Sequence, residues 1–161
     1  MSLLPTPLHP LIVHLPIALT VLLPLFGLGG LIAIRRGARA VPVWGLATAM
    51  LALTLSSGLL AKETGEDEED TVEKVVGEES IEPHEEAADA FIVATAVVLV
   101  IAGVGFVPGR VGSAARVAAA VGTLAVFGFG YHVGHTGGQL VYRDGAASAY
   151  VPASSRVVDT P

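Results

Sequence analysis

The residues of this sequence best suited to chemistry are its five histidines, which fall in three places: His9 and His14 near the start, His84 in the middle, His132 and His135 towards the end. Imidazole ligates haem iron and transition metals and carries protons near neutral pH. His14 stands four residues after Pro10 and is followed by the apolar stretch Leu15 to Leu23, which predicts a position about one turn inside a helix. An ionisable group in hydrocarbon is costly unless it is paired or liganded, so His14 is the first candidate for a functional role. On a helix, His132 and His135 are about 60° apart and share a face, whereas His9 and His14 are about 140° apart. The latter two can serve one centre only if His9 stands outside the regular helix, as Pro10 allows. Glu63, in Lys62-Glu63-Thr64-Gly65, and Glu85, beside His84, add carboxylates. These could accept hydrogen bonds from imidazole N–H groups, ligate a zinc, iron or manganese ion, or remain solvated charges.

The elements that must position these groups are membrane spans. Of the 161 residues, 52% are hydrophobic and 15% charged, and the mean hydropathy is +0.67. Such a chain expects lipid as its solvent. Four apolar runs stand out at Leu11 to Ile34, Val41 to Ala61, Ala87 to Val107 and Val117 to Val133. Each approaches the roughly 20 residues that cross a bilayer, so the expectation is one all-α membrane domain, a polytopic four-helix bundle. The first run is too long for the hydrophobic region of a signal peptide and no Lys or Arg precedes it, so it reads as a retained span.

Two short turns are purely basic, one carrying Arg35, Arg36 and Arg39 and the other Arg110 and Arg116. The positive-inside rule puts them in the cytoplasm, with both termini and all five histidines at the outer face of a bacterial inner membrane. The formal charge of −6 has one source, because twelve of the fifteen acidic residues lie between Glu63 and Glu86. That stretch, 62–86, reads as an outer loop holding a short surface helix at Glu68 to Val76, with Val72, Val75 and Val76 on one stripe and Gly77 ending it. Pro83 suits the first turn of the third helix. The residues from Gln139 to Pro161 read as a polar tail with a brief extended piece at Leu140 to Arg143. Trp44, Tyr131 and Tyr142 read as interface anchors, and Pro16 and Pro24 as kinks in the first helix. Gly122, Gly128, Gly130 and Gly134 predict close helix approach, or room beside His132 and His135 for a flat cofactor. No internal repeat emerges beyond two helical hairpins.

Several function classes are excluded. The chain has no cysteine, which removes disulfides, thiolate metal sites, iron–sulfur clusters and covalently attached haem. No basic stripe interleaved with aromatics marks a nucleic-acid surface. There is no Walker A sequence, no nucleophile elbow and no paired His-Glu zinc-protease motif. Ser56 and Ser57 are expected to bond their own helix or a neighbour. Transport is not excluded but is poorly motivated, since below the histidine layer no charged path runs through any span to serve as stepping stones.

The segments His9-Pro10-Leu11-Ile12-Val13-His14-Leu15-Pro16-Ile17-Ala18-Leu19 and Gly134-His135-Thr136-Gly137-Gly138-Gln139-Leu140-Val141-Tyr142 resemble a bacterial membrane family catalogued as domain of unknown function 2231 (DUF2231). The resemblance spans nearly the whole chain. It implies a four-helix membrane domain without an established reaction, which some relatives carry fused to cytochrome c modules. The acidic insert from Glu66 to Glu79 is longer and more charged than the resemblance leads one to expect.

Three readings remain open at this stage. The first is a haem b or related redox-metal protein passing electrons near the outer face, which need not catalyse anything itself, with a cytochrome c or another redox membrane subunit as partner. In it His14 pairs with His132 or His135, and His84 with His9 forms a second pair or contacts the propionates. The second is a non-haem site in which His14, His84, His135 and Glu63 or Glu85 bind zinc, iron or copper, with the acidic segment concentrating cations. The third is a structural accessory subunit of a larger complex. A homo-oligomer is compatible with each.

Overall fold

The structure is a computed structural model that describes residues 7–151. Its helices are α1 (His9–Ile12), α2 (His14–Arg35), α3 (Ala40–Val76), α4 (Glu78–Val104) and α5 (Arg110–Tyr142), followed by a 3-10 helix (Ala146–Tyr150), with no strand among the described residues. The break between α1 and α2 falls at Val13. Pro16 lies three residues beyond and has no N–H to return to the Ile12 carbonyl, against which its ring also presses. The other interior proline of the first span, Pro24, is accommodated within α2.

Four long helices close a ring in which α2 packs on α3, α3 on α4, α4 on α5 and α5 on α2. All four are long and apolar enough to cross a membrane. Their lipid-facing surface is built of side chains such as Leu25, Val41, Val93, Val100 and Val111, all exposed. Inside, Leu23, Trp44, Leu51, Phe91, Val98, Ala119 and Val126 form the core. Small residues let the helices approach: Gly58 lies under Phe91, Gly122 under Val98, and Gly130 under Thr20 and Phe91. Core hydroxyls return to their own helices, Thr54 donating to the Met50 carbonyl at 2.8 Å, Ser57 to Thr54 at 3.1 Å and Thr95 to Phe91 at 2.7 Å. Among the described residues no buried side-chain nitrogen or oxygen is left without a partner, as a low-dielectric interior demands.

Several expectations are corrected. The acidic stretch is no loop with a separate surface helix: α3 runs unbroken for 37 residues to Val76, and α4 begins at Glu78. Only Gly77 intervenes, at φ 78°, a left-handed conformation that glycine adopts freely. At 1.5 Å per residue α3 is about 55 Å long against a hydrocarbon layer of about 30 Å. The acidic ends of α3 and α4 therefore stand beyond the apolar layer as a helical hairpin. The run of acids suggested a loop because it lacks apolar periodicity, yet Glu, Lys and Ala are good helix formers and the packed spans have already nucleated the helix.

For the same reason Pro83 sits past the first turn of α4, and Glu78 and Glu79 occupy that turn. The basic turn before α5 is mostly helix, since Arg110 to Arg116 open α5. The piece Leu140 to Arg143, expected to be extended, continues α5 to Tyr142. Trp44 is no interface anchor but is 1% exposed, with its indole N–H donating to the Ala102 carbonyl at 2.9 Å. Tyr131 and Tyr142 do face outward. Of the expected polar tail, residues 152–161 lie outside the described residues.

A paired imidazole site at the acidic end of the bundle

Two histidines meet where the bundle opens towards the acidic hairpin. The rings of His9, at the start of α1, and His84, in α4, lie 6.3 Å apart between centroids at 85°, edge to face. Both are half-buried. A span of about 20 residues counted back from Val104 ends near Glu85, so His84 sits at the boundary of the apolar layer.

Each ring is held by the same local device. The His9 Nδ1 lies 2.8 Å from the Ala61 carbonyl on α3. A carbonyl only accepts, so Nδ1 carries the proton and donates. Gly65 stands one turn after Ala61 and leaves that carbonyl uncovered, and a methyl at Gly65 would lie 3.2 Å from the His9 Cε1 and Nδ1. Thr64 donates its hydroxyl to the same Ala61 carbonyl at 2.9 Å.

On α5, Thr136 and Gly137 repeat the arrangement for His84. Thr136 donates its hydroxyl to the Val133 carbonyl at 3.1 Å or the His132 carbonyl at 3.2 Å. With its one proton spent, its oxygen accepts from the His84 Nδ1 at 3.1 Å. A methyl at Gly137 would meet the His84 Cε1 at 2.9 Å, and the Val133 carbonyl is also in reach of the ring. Both imidazoles thus carry the proton on Nδ1 and keep Nε2 as the basic nitrogen.

Glu68, two turns after Ala61 on α3, completes the surroundings of His9. Its Oε1 accepts the backbone N–H groups of Leu8 and of His9, the latter at 3.2 Å. Its Oε2 accepts the Tyr150 hydroxyl at 2.9 Å. Burial, and then the neighbouring carboxylate, push the Tyr150 hydroxyl up to about 12. Beside this cluster Lys62 pairs with Asp89 across α3 and α4, and with Glu66 at 3.6 Å.

The other candidates are placed elsewhere. His14 is exposed, about 160° around α2 from the buried stripe of Pro16, Leu19, Leu23 and Gly27. His132 and His135 do share a face of α5, but that face is the outward one, because both are exposed while Val126 and Gly137, on the other side, are committed to the bundle. His135 stacks on Tyr131, with centroids 6.2 Å apart, and its Nε2 lies 3.3 Å from the Gln139 amide. Among the described residues no hydrogen bond or ring contact joins His14 to His132 or His135, so the pairing expected first is not formed within the chain. Glu63 and Glu85 are exposed, and the acceptor role foreseen for them belongs to the Ala61 carbonyl and the Thr136 hydroxyl. The set His14, His84, His135 with Glu63 or Glu85 is likewise not assembled, since among the described residues no three His, Asp or Glu side chains gather closely enough to hold an ion. Gly128 and Gly134 have open space before them and flank no cofactor face inside the bundle.

Sequence reading overlooked Thr64-Gly65, Thr136-Gly137 and Glu68. The recurring Thr-Gly dipeptide was a usable signal. Glu68 was one acid among twelve, with nothing in its neighbours to single it out. The profile of a family described as "predicted membrane protein (DUF2231)" matches residues 5–149 of the chain. No curated protein and no solved structure matches it.

Proposed function

The chain belongs to this DUF2231 family of predicted membrane proteins, and from that premise we propose that it is a membrane redox-cofactor protein in which His9 and His84 are the axial ligands of a haem b. The observation that carries the reading is the adjacent pair of rings, 6.3 Å between centroids, each with Nδ1 engaged and Nε2 not used in that bond. Tying Nδ1–H to an acceptor is the usual way a protein fixes the tautomer and orientation of a ligating histidine. Two imidazoles fall short of the three or four protein ligands of a zinc site, whereas haem brings four nitrogens of its own and asks for only one or two.

When bound, the haem supplies one-electron chemistry. The chain's part is to hold two imidazoles at the edge of the apolar layer, exclude bulk water through Phe91 and the core below, and set the potential by burial. With the arginine turns in the cytoplasm the pair lies at the outer side, within reach of a cytochrome c or another redox subunit.

An absorption spectrum of detergent-purified protein, oxidised and then reduced, tests this. We expect a Soret band and a low-spin, six-coordinate spectrum. His9→Ala and His84→Ala each abolish the low-spin form, whereas His14→Ala, His132→Ala and His135→Ala retain it. Protein that stays colourless after haemin is supplied, or that loses its spectrum only with the outward histidines, overturns the reading.

A further inference from the structure

We infer that Glu68 is the positioning residue of the pair: by holding the backbone of Leu8 and His9 it determines whether the His9 imidazole reaches His84. The inference rests on the reading that these two rings serve one cofactor, yet its mechanism can be tested without that cofactor. Ala61, Thr64, Gly65 and Glu68 recur every three or four residues and share one face of α3. The first three receive the His9 ring. The fourth receives its main chain, through two N–H groups on a single carboxylate oxygen.

Hydrogen bonds to an ionised acceptor are the stronger kind, and here they act on a segment with little else to fix it. α1 is four residues long, far below the length at which a helix stands alone. It runs on into α2 with Val13 in helical geometry and its N–H donating to the His9 carbonyl at 3.1 Å, while Pro16 leaves the Ile12 carbonyl without its helical donor. His84 has no such dependence, because its contacts are on α5. The second oxygen of Glu68 holds Tyr150, so one carboxylate fastens both the start of the described chain and the 3-10 helix to α3. Removal of Glu68 should therefore release His9 and leave His84 in place.

The test compares Glu68→Ala, Glu68→Gln and Tyr150→Phe in the full-length protein in detergent, first without haem, by ¹⁵N NMR of histidine-labelled material. In the unaltered chain His9 and His84 both give the signature of the Nδ1-protonated tautomer. We expect Glu68→Ala to reduce the population of that state for His9 at least ~tenfold, the scale set by two lost hydrogen bonds to a charged group, with His84 unchanged. Glu68→Gln keeps an acceptor oxygen for the two N–H groups and restores the His9 signal, and Tyr150→Phe leaves it untouched.

Haemin is then added. Glu68→Ala should bind it through His84 in a five-coordinate, high-spin form, and Glu68→Gln should return the low-spin spectrum. An unchanged His9 signal in Glu68→Ala, or equal loss of the His9 and His84 signals, overturns the positioning role. If no variant and no unaltered protein binds haemin, the haem reading falls, while the tautomer measurement still decides the role of Glu68.

Discussion

The tautomer of each paired ring is set by a neighbour with only one part to play. The Ala61 carbonyl has no proton to give, and the Thr136 hydroxyl has already given its own to its helix. His9 and His84 therefore turn Nδ1–H to the acceptor and keep Nε2 on the far edge. The two supports differ in redundancy. Thr64 lies 3.4 Å from the His9 Nδ1 and adds little to the Ala61 carbonyl at 2.8 Å, whereas Thr136 is the hydroxyl nearest to His84, at 3.1 Å. Thr136→Val, nearly equal in shape, should shift the His84 tautomer and cost about 1 kcal/mol of stability. Thr64→Val should leave His9 as it is. Histidine ¹⁵N shifts and denaturant unfolding in detergent measure both, and equal effects at the two positions would contradict this account. That some of the five histidines would come together was legible in the sequence. Which histidines was not, because the choice depends on which face of each helix its neighbours occupy. The angular argument correctly grouped His132 with His135 but had no means of telling an inward face from an outward one.

Among the elements, the recurring unit is a histidine near the start of one helix lying across a Thr-Gly step near the end of the next. His9 meets Thr64-Gly65 in the first hairpin, and His84 meets Thr136-Gly137 in the second. In both, the threonine caps the carbonyl three residues back, and the glycine uncovers that same carbonyl for the ring. The glycines are thus of two kinds. A methyl at Gly137 would stand 2.9 Å from His84 and one at Gly65 3.2 Å from His9, whereas Gly128 and Gly134 face open space. Gly137→Ala should displace its imidazole and Gly65→Ala should do so less. Gly128→Ala and Gly134→Ala should raise stability by up to about 1 kcal/mol each, the helical advantage of alanine over glycine. Thermal unfolding of the four variants, together with the histidine signals, checks the order. Destabilisation at Gly128 or Gly134 would mean that something outside the chain approaches those positions. The sequence offered six glycines in or near the fourth span as one undivided stripe. Their partition follows from helix rotation, which the low amphipathicity of a lipid-facing helix barely encodes.

At the scale of the whole molecule the chain is a bundle with one basic end and one acidic end. Four spans were legible because hydrocarbon thickness fixes the length of an apolar run. The acidic hairpin was not, because polar helix outside the membrane leaves no hydropathy signal. Arg35, Arg36, Arg39, Arg110 and Arg116 gather at the turns joining α2 to α3 and α4 to α5, where no Asp or Glu accompanies them. At the other end twelve acids stand between Glu63 and Glu86. Arginine close to a span resists translocation, while acidic residues contribute little to orientation. On the orientation proposed above, the arginine turns lie inside and the hairpin, with the His9 and His84 pair at its foot, outside. The chain contains no cysteine, so a single engineered thiol reports its own side without background. Glu79 and Ala38 are both exposed, one near the tip of the hairpin and the other in an arginine turn. In intact cells whose periplasm is accessible, a membrane-impermeant maleimide should label Glu79→Cys and leave Ala38→Cys unlabelled until the inner membrane is opened. The reverse pattern would put the imidazole pair on the cytoplasmic side and, on the proposed haem reading, move its electron partner there. Labelling of both in intact cells would mean that the two basic turns are too weakly charged to hold one orientation.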